Sequence, residues 1–412
     1  MGRRMGIGRL GQAGALALLF AGCVDAEVIS AGSEGNAINL ARCFGADCAA
    51  QPESLSPGGD EPGEPCAVAD ELLEQPLVAK PPELYQLSQI EIGDDGLIWA
   101  LMRLGGEETY ALARFDLEGT LIGTSDIIAK AGDDKTLSLD LAVDGHGNAV
   151  VAVYSVQAAS ADDEPLQRLT VLTYDPGMRP VGEPLVFQGL AETEIIAGGA
   201  SFLLAGNALA NGANGVLASV DNRELQWIQT NVPSSGTSAG VGVSAIARTP
   251  SANIGVLSLR SPRWSGGPDV YQFGISTFDQ NGEPAWDLEL PTQYAGGYRA
   301  ELATTPSGEF VVVGRQGDDG IVVRQVESRG TLGWSYRLRS YDAVVAIAQD
   351  GRSIVSTSDG LGVISADGQV CTEHVAPPAS TYYRMPSDVA IFGEYLFMAT
   401  QYDLLRYRLP SE

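Results

Sequence analysis

Asp144-Gly145-His146-Gly147-Asn148, followed at once by Ala149-Val150-Val151-Ala152-Val153-Tyr154, is the stretch whose reading decides the fold. An acid and two glycines within five residues are hairpin-turn chemistry, and the run after them is a strongly apolar strand. The same unit recurs along the chain. Its second strands read Leu97–Met102, Ala149–Tyr154, Phe202–Ala205, Ile254–Leu257, Phe310–Val313, Ile354–Thr357 and Tyr395–Ala399, and the turns before them include Asp94-Asp95-Gly96, Pro306-Ser307-Gly308 and Asp350-Gly351. There are seven copies, with Gly96 and Gly393 as first and last markers, and their period is about 50 residues. That length suits one four-stranded sheet with insertions.

A second marker falls between the third and fourth strands of five copies: Asp116-Leu117-Glu118-Gly119, Asp221 with Trp227, Asp279-Gln280-Asn281-Gly282 with Trp286, Glu327-Ser328-Arg329-Gly330 with Trp334, and Asp367-Gly368. The acid caps the turn, the glycine takes a positive φ and the tryptophan packs between neighbouring sheets. This spacing resembles the quinoprotein-type propeller repeat and the lipoprotein propellers that assist outer-membrane protein assembly. The resemblance implies an all-β seven-bladed β-propeller of four-stranded antiparallel blades. A ring of six or eight blades, or two stacked sheets, also accommodates the pattern.

The seventh copy, Tyr382 to Pro410, supplies only three strands, which would leave an open edge. Glu74-Gln75-Pro76-Leu77-Val78-Ala79-Lys80, just before the first copy, has the length and character to fill that gap and close the ring.

Upstream the chain reads as an export address. Arg3, Arg4 and Arg9 precede the apolar run Ala13–Phe20, a signal-peptide layout too short to span a bilayer. Leu19-Phe20-Ala21-Gly22-Cys23 resembles the bacterial lipobox, with Phe20 where leucine is usual. The resemblance implies cleavage after residue 22 and lipidation of Cys23. Membrane attachment would then be through the lipid anchor only, and Val24 after the cysteine points to the outer membrane of a Gram-negative cell. Residues 1–22 are thus assigned to the signal peptide, 23–70 to a Gly/Pro/Ser-rich acidic tether and 71–412 to the propeller.

Net charge is −27. Loss of residues 1–22 removes three arginines and no acid, taking it to −30. Nucleic acid and anionic lipid surfaces are excluded as partners, because both require counter-charge. Beyond Cys23, four cysteines remain. Cys43 and Cys48 close a tight loop, which leaves Cys66 with Cys371, a long-range bridge near the seam of the ring.

Chemistry is sparse. His146 lies in a turn and His374 is expected to follow an outer strand, so a Ser-His-Asp triad or a multi-histidine metal site is excluded. Asp144–Asn148 lacks the alternating acids and final glutamate of a calcium loop and reads as a turn. A quinone dehydrogenase would need an adjacent cysteine pair and a cofactor motif; neither is present, and no cofactor, metal or catalytic residue is assigned.

The long connections are more informative. Gln157–Pro165, Arg260–Asp269, Pro291–Tyr298 and Ala376–Arg384 all fall on the face shared by second-to-third-strand and blade-to-blade loops. They gather Trp264, Tyr294, Tyr298, Tyr382 and Tyr383 with Arg263 as candidate ligand-binding residues. The expectation is an envelope scaffold binding a protein or polysaccharide. The alternatives are a carboxylate-based glycan hydrolase or lyase on the same face, and an outer-membrane protein assembly factor.

Overall fold

In the computed structural model, the described residues run from 77 to 409, apart from 80, 82–84, 105–108, 131–134, 158–165, 189, 199–200, 209–213, 222–223, 234–241, 264–269, 296–299, 316–319, 339, 341–342, 358–359 and 376–385. The chain divides into Met1–Ser56 and Pro57–Glu412, and all described residues belong to the second unit.

Seven antiparallel sheets follow one another, six built from four consecutive strands and the seventh from three together with one strand from before blade 1. Blade 1 comprises Tyr85–Ile92, Ile98–Leu104, Thr109–Phe115 and Leu121–Thr124, with Ala129–Lys130 adding to its third strand. Blade 2 is Lys135–Val143, Ala149–Gln157, Leu166–Tyr174 and Leu185–Gln188; blade 3 is Leu190–Gly198, Ser201–Ala208, Asn214–Asp221 and Glu224–Pro233. Blade 4 is Val243–Arg248, Ile254–Arg263, Val270–Phe278 and Pro284–Ala295; blade 5 is Glu301–Thr304, Phe310–Arg315, Ile321–Val326 and Leu332–Leu338. Blade 6 is Ala343–Ile347, Ser353–Thr357, Gly360–Ile364 and Val370–Val375, and blade 7 begins with Pro386–Phe392, Tyr395–Thr400 and Leu404–Arg408. The first strand of each blade packs on that of the next, from blade 1 round to blade 7 and back. The protein is a seven-bladed β-propeller.

The fourth strand of blade 7 is Leu77–Ala79, paired antiparallel with Leu404–Arg406 in the register Leu77 to Arg406 and Ala79 to Leu404. The closure expected from the sequence is realised by Leu77–Ala79, the described residues of that segment.

The turns explain why the pattern was readable. In each first-to-second turn but those of blades 3 and 7, and in each third-to-fourth turn of blades 1, 2, 4, 5 and 6, an N–H returns to the carbonyl three residues back, as Gly147 does to Asp144 and Gly282 to Asp279. In seven of these turns the opening residue caps with its side chain, and where Gly93 and Ala348 open the turn, Asp95 and Asp350 two residues on accept from the N–H groups of Leu97 and Arg352 instead. Asp144 Oδ1 accepts from the N–H groups of His146 and Asn148, and Asp279 Oδ1 from those of Asn281 and Glu283. His146 is exposed there, in the turn foreseen for it. His374 lies within Val370–Val375 rather than after it, because the ladder to blade 6's third strand continues to Val375.

The core does not sit at the centre of the ring. It lies in the seams, where the faces of adjacent blades meet. Ile90 and Phe115 of blade 1 meet Phe397 and Leu404 of blade 7; Leu257 and Ile275 of blade 4 meet Phe310 and Val312 of blade 5; Val311 and Val323 of blade 5 meet Val355 and Ile364 of blade 6. Each second strand has a neighbour on both faces, so Ile98–Met102 and Phe310–Val313 are buried along their whole length. At about 25 cal/mol per Å² of apolar surface removed from water, these seams are the main cohesive term.

Candidate functional site

The alternation of strand direction sorts the connections onto two faces. First-to-second and third-to-fourth turns share one face, and among the described residues these are short and capped. The other face carries the second-to-third and blade-to-blade connections, where the longer segments fall.

On that second face blade 4 departs from its neighbours. Its second strand has 10 residues and its fourth 12, against 8 and 10 in blade 3 and 6 and 7 in blade 5. The extra length is continuous ladder: Arg263 pairs with Val270 and Val270 with Ala295, while Tyr271 pairs with Tyr294. The first strand of blade 4 ends its pairing at Val243–Ser258, so the extension carries three strands where the blade carries four. Register shifts at Leu259/Ser261 and Gln272/Gly274 mark where it leaves the blade's regular ladder.

This corrects one expectation. Arg263 and Tyr294 were assigned to loops, yet both are strand residues, because the partner strands go on pairing one another past the ring. The register places the two positions at the same end of blade 4. Trp264, Tyr298, Tyr382 and Tyr383 lie outside the described residues, as do Cys23, Cys43, Cys48 and Cys66. Cys371 is described, buried on the outer strand of blade 6 as expected.

Sequence reasoning missed a second feature. Carboxyls on several inner strands act on one another electrostatically: Asp388 of blade 7 and Asp140 of blade 2 on Glu91 of blade 1, and Glu301 of blade 5 and Asp140 on Asp388. Asp388 accepts from its own neighbour Val389 N–H at 2.8 Å and from Ile90 N–H of blade 1 at 2.9 Å. Asp140 accepts from Ile195 N–H of blade 3 at 2.5 Å and from the Gln89 side-chain amide at 2.6 Å. Burial pushes the Asp388 carboxyl up to about 7, with Glu301 and Asp140 adding to the shift and the two N–H donors opposing it. Burial, then Asp388 and Asp140, hold Glu91 well above the ordinary carboxylate range. The signal was present in the sequence, since Gln89, Asp140, Glu194, Glu301 and Asp388 recur at one place in the repeat. Without the ring, nothing says that acids so far apart act on one another.

Among the described residues the acids shifted downward are Asp175, Asp279, Glu309 and Asp350, all in turns on the short-turn face. Among the described residues there is also no group of three or more His, Cys, Asp or Glu side chains that could hold a metal ion. No described helix is long and apolar enough to cross a membrane.

The fold and these two features define a β-propeller with one elaborated face. No protein-family model and no curated protein sequence match the chain. Solved structures do. The WD40 β-propeller domain of Doa1 is 8% identical over 81% of this chain and 96% of its own, with a TM-score of 0.49. The α-L-arabinanase of Penicillium chrysogenum, solved with arabinobiose, is 12% identical over 81% and 97%, with a TM-score of 0.47. A gluconolactonase of Xanthomonas campestris is 12% identical over 82% and 95%, with a TM-score of 0.35. Similarity at this level concerns architecture and does not extend to activity.

Proposed function

We propose that the protein is an envelope-tethered binding scaffold that captures a protein or a glycan on the face bearing the blade 4 extension. The observation that carries this reading is the extension itself, a three-stranded ladder beyond the ring that brings Arg263 and Tyr294 to one end of the sheet. Elaborated connections on a rigid scaffold are where recognition commonly resides, and aromatic side chains beside a guanidinium suit a sugar ring or an extended peptide. Trp264, Tyr298, Tyr382 and Tyr383, which lie outside the described residues and in sequence follow strands that end on this face, are included in the proposed surface.

In this reading Cys23 carries the lipid anchor at the outer membrane, residues 24 to about 70 form the tether, and Cys66 pairs with Cys371 to fix the tether to blade 6. Two acyl chains or more hold a protein on a membrane almost irreversibly. The test is crosslinking in the native envelope followed by mass spectrometry, repeated with the Trp264→Ala/Tyr294→Ala double variant whose fold is checked by circular dichroism. Loss of the crosslinked partner or of polysaccharide fragments in the variant supports the reading. Undiminished capture by the folded variant refutes it.

A further inference from the structure

In the seams from blade 3 to blade 6 a tryptophan of the outer strand reaches a turn of the next blade. The seam between blades 1 and 2 is built the other way round. Trp286 and Trp334 stand seven residues after Asp279 and Glu327, which open their turns, and Gly123 stands seven after Asp116. On the facing side Gly282 and Gly330 come three residues after the opening acid, and Met178 three after Asp175. The fit differs as well. A Cβ on Gly282, Gly330 or Gly368 would come within 2.6, 2.9 or 2.4 Å of an indole, whereas one on Gly123 would have only Met178 Cγ near it, at 4.0 Å.

Backbone conformation does not ask for glycine at 123. Its φ is not left-handed. The register shift beside it, between Arg114 and Phe115, recurs beside Trp227 and Trp286, between Ser219 and Val220 and between Thr277 and Phe278. No other backbone approaches it. Of the reasons for a glycine inside a strand, close approach of a ligand remains.

Behind Gly123 lie two donors without acceptors. The row Trp99–Arg114–Gly123 runs outward across blade 1 on the face toward blade 2. Trp99 is fully buried, the Arg114 guanidinium carbon sits 5.5 Å from the centre of its ring, and neither Trp99 Nε1 nor Arg114 Nε has a hydrogen-bond partner. Among the described residues Arg114 has no ion-pair partner either, in a chain of net charge −27. Asp126, which acts on Tyr174 across this seam, is exposed and leaves Arg114 unpaired. Seven large apolar side chains are exposed among the described residues. Five of them, Leu121, Ile122, Ile127, Val181 and Val186, belong to the outer strands of these two blades or to segments next to them, and an exposed apolar patch beside a few buried polar groups is the make-up of a ligand site.

We propose that the seam between blades 1 and 2 binds a small planar carboxylate, its ring lying beside Gly123 where other seams hold an indole and its carboxylate accepting from Arg114 and from Trp99 N–H. Planarity follows from the indole that this position of the repeat accommodates elsewhere, and charge from the unpaired guanidinium. Met178, a flexible thioether, adapts as the ring enters. This site does not depend on the blade 4 face.

Indole-3-acetate is the probe, titrated into the full mature protein while the indole N–H resonances of the 5 tryptophans are followed by NMR, that of Trp99 being assigned through Trp99→Phe. Movement of the Trp99 resonance with a Kd between about 10 μM and about 1 mM is expected. The neutral isostere indole-3-acetamide is expected to bind about tenfold more weakly, and Arg114→Gln to erase that preference. Gly123→Trp/Met178→Gly restores the arrangement of the other seams and is expected to abolish binding of both probes; Gly123→Leu is read in the same way should the double variant fail to fold. No movement of the Trp99 resonance at about 5 mM probe would show that water alone serves these donors and would overturn the proposal. So would equal affinity for acid and amide, a preference that outlasts Arg114→Gln, or binding that survives the filling of position 123.

Discussion

The indole of Trp286 lies over Gly330. Its Nε1 donates to Ser328 O of the next blade at 2.9 Å, and a Cβ built on Gly330 would stand 2.9 Å from the indole. Trp227 repeats this on Gln280 O and Gly282, and Trp334 on Ala366 O and Gly368, so three successive seams from blade 3 to blade 6 are stapled alike. Gly330 also has a φ of 80°, a left-handed value that disfavours any side chain. Gly330→Ala therefore adds backbone strain to overpacking, and is expected to cost about 2–4 kcal/mol in denaturant unfolding. A loss below about 0.5 kcal/mol would show that the indole simply moves aside.

At the closing seam an arginine takes the tryptophan's place. Arg406 donates to Leu117 O of blade 1 at 2.5 Å, the same position in the turn as the three carbonyls above, and its guanidinium carbon sits 4.7 Å from the centre of the Tyr395 ring. Replacing it with alanine removes a charge-assisted hydrogen bond and a cation–π contact, with an expected loss of about 2–3 kcal/mol. Lysine should restore less than half, because one ammonium cannot both stack on Tyr395 and reach Leu117 as a planar fork does. Equal stability of the lysine variant and wild type in urea titration would contradict this account.

Among the described residues two non-glycines adopt the left-handed region, Met178 at φ 65° and Ala252 at φ 66°. They answer differently to glycine. A Cβ on Gly123 of blade 1 would lie 4.0 Å from Met178 Cγ, so large and small residues have exchanged sides relative to the tryptophan seams. Ala252 ends a turn with only a methyl group to lose. Ala252→Gly is expected to stabilise by about 0.5–1 kcal/mol and Met178→Gly to destabilise, as thermal unfolding will register.

Stability should peak at mildly acid pH. Asp388 keeps its proton in the folded chain up to about 7 and releases it near 3.8 when unfolded, so stability falls as pH rises between those values. In the other direction, the N–H of Glu283 on Asp279 and that of Arg179 on Asp175 hold both carboxyls low, and their contribution is lost as pH falls below about 4. That acid limb is shallow because both groups face water. Urea midpoints measured across the range should flatten on the neutral side in Asp388→Asn, and an unaltered slope would assign it to other groups.

Legibility differed by feature. Seven apolar second strands and their capped turns were visible because each blade repeats the same local chemistry and each second strand is enclosed on both faces. The closing segment around Leu77 was visible because the seventh copy lacks one strand. The extension of blade 4 was not, since residues such as Arg260 to Arg263 and Thr292 to Ala295 are polar enough to read as loop and become strand only by pairing with one another. The channel carboxyls were unreadable for a related reason: Asp140 and Asp388 are 248 positions apart and carry no motif, and their side chains reach backbone groups in other blades.

The sequence by itself determined the repeat, its number, the turn geometry and the closure, because all of these follow from contacts within one blade or from the count of strands. Only the tertiary structure decided what happens between blades. There the partners of Trp286, Arg406, Asp140 and Asp388 are set by the order and curvature of the ring, and a carboxyl's proton affinity depends on neighbours that no local stretch of chain records.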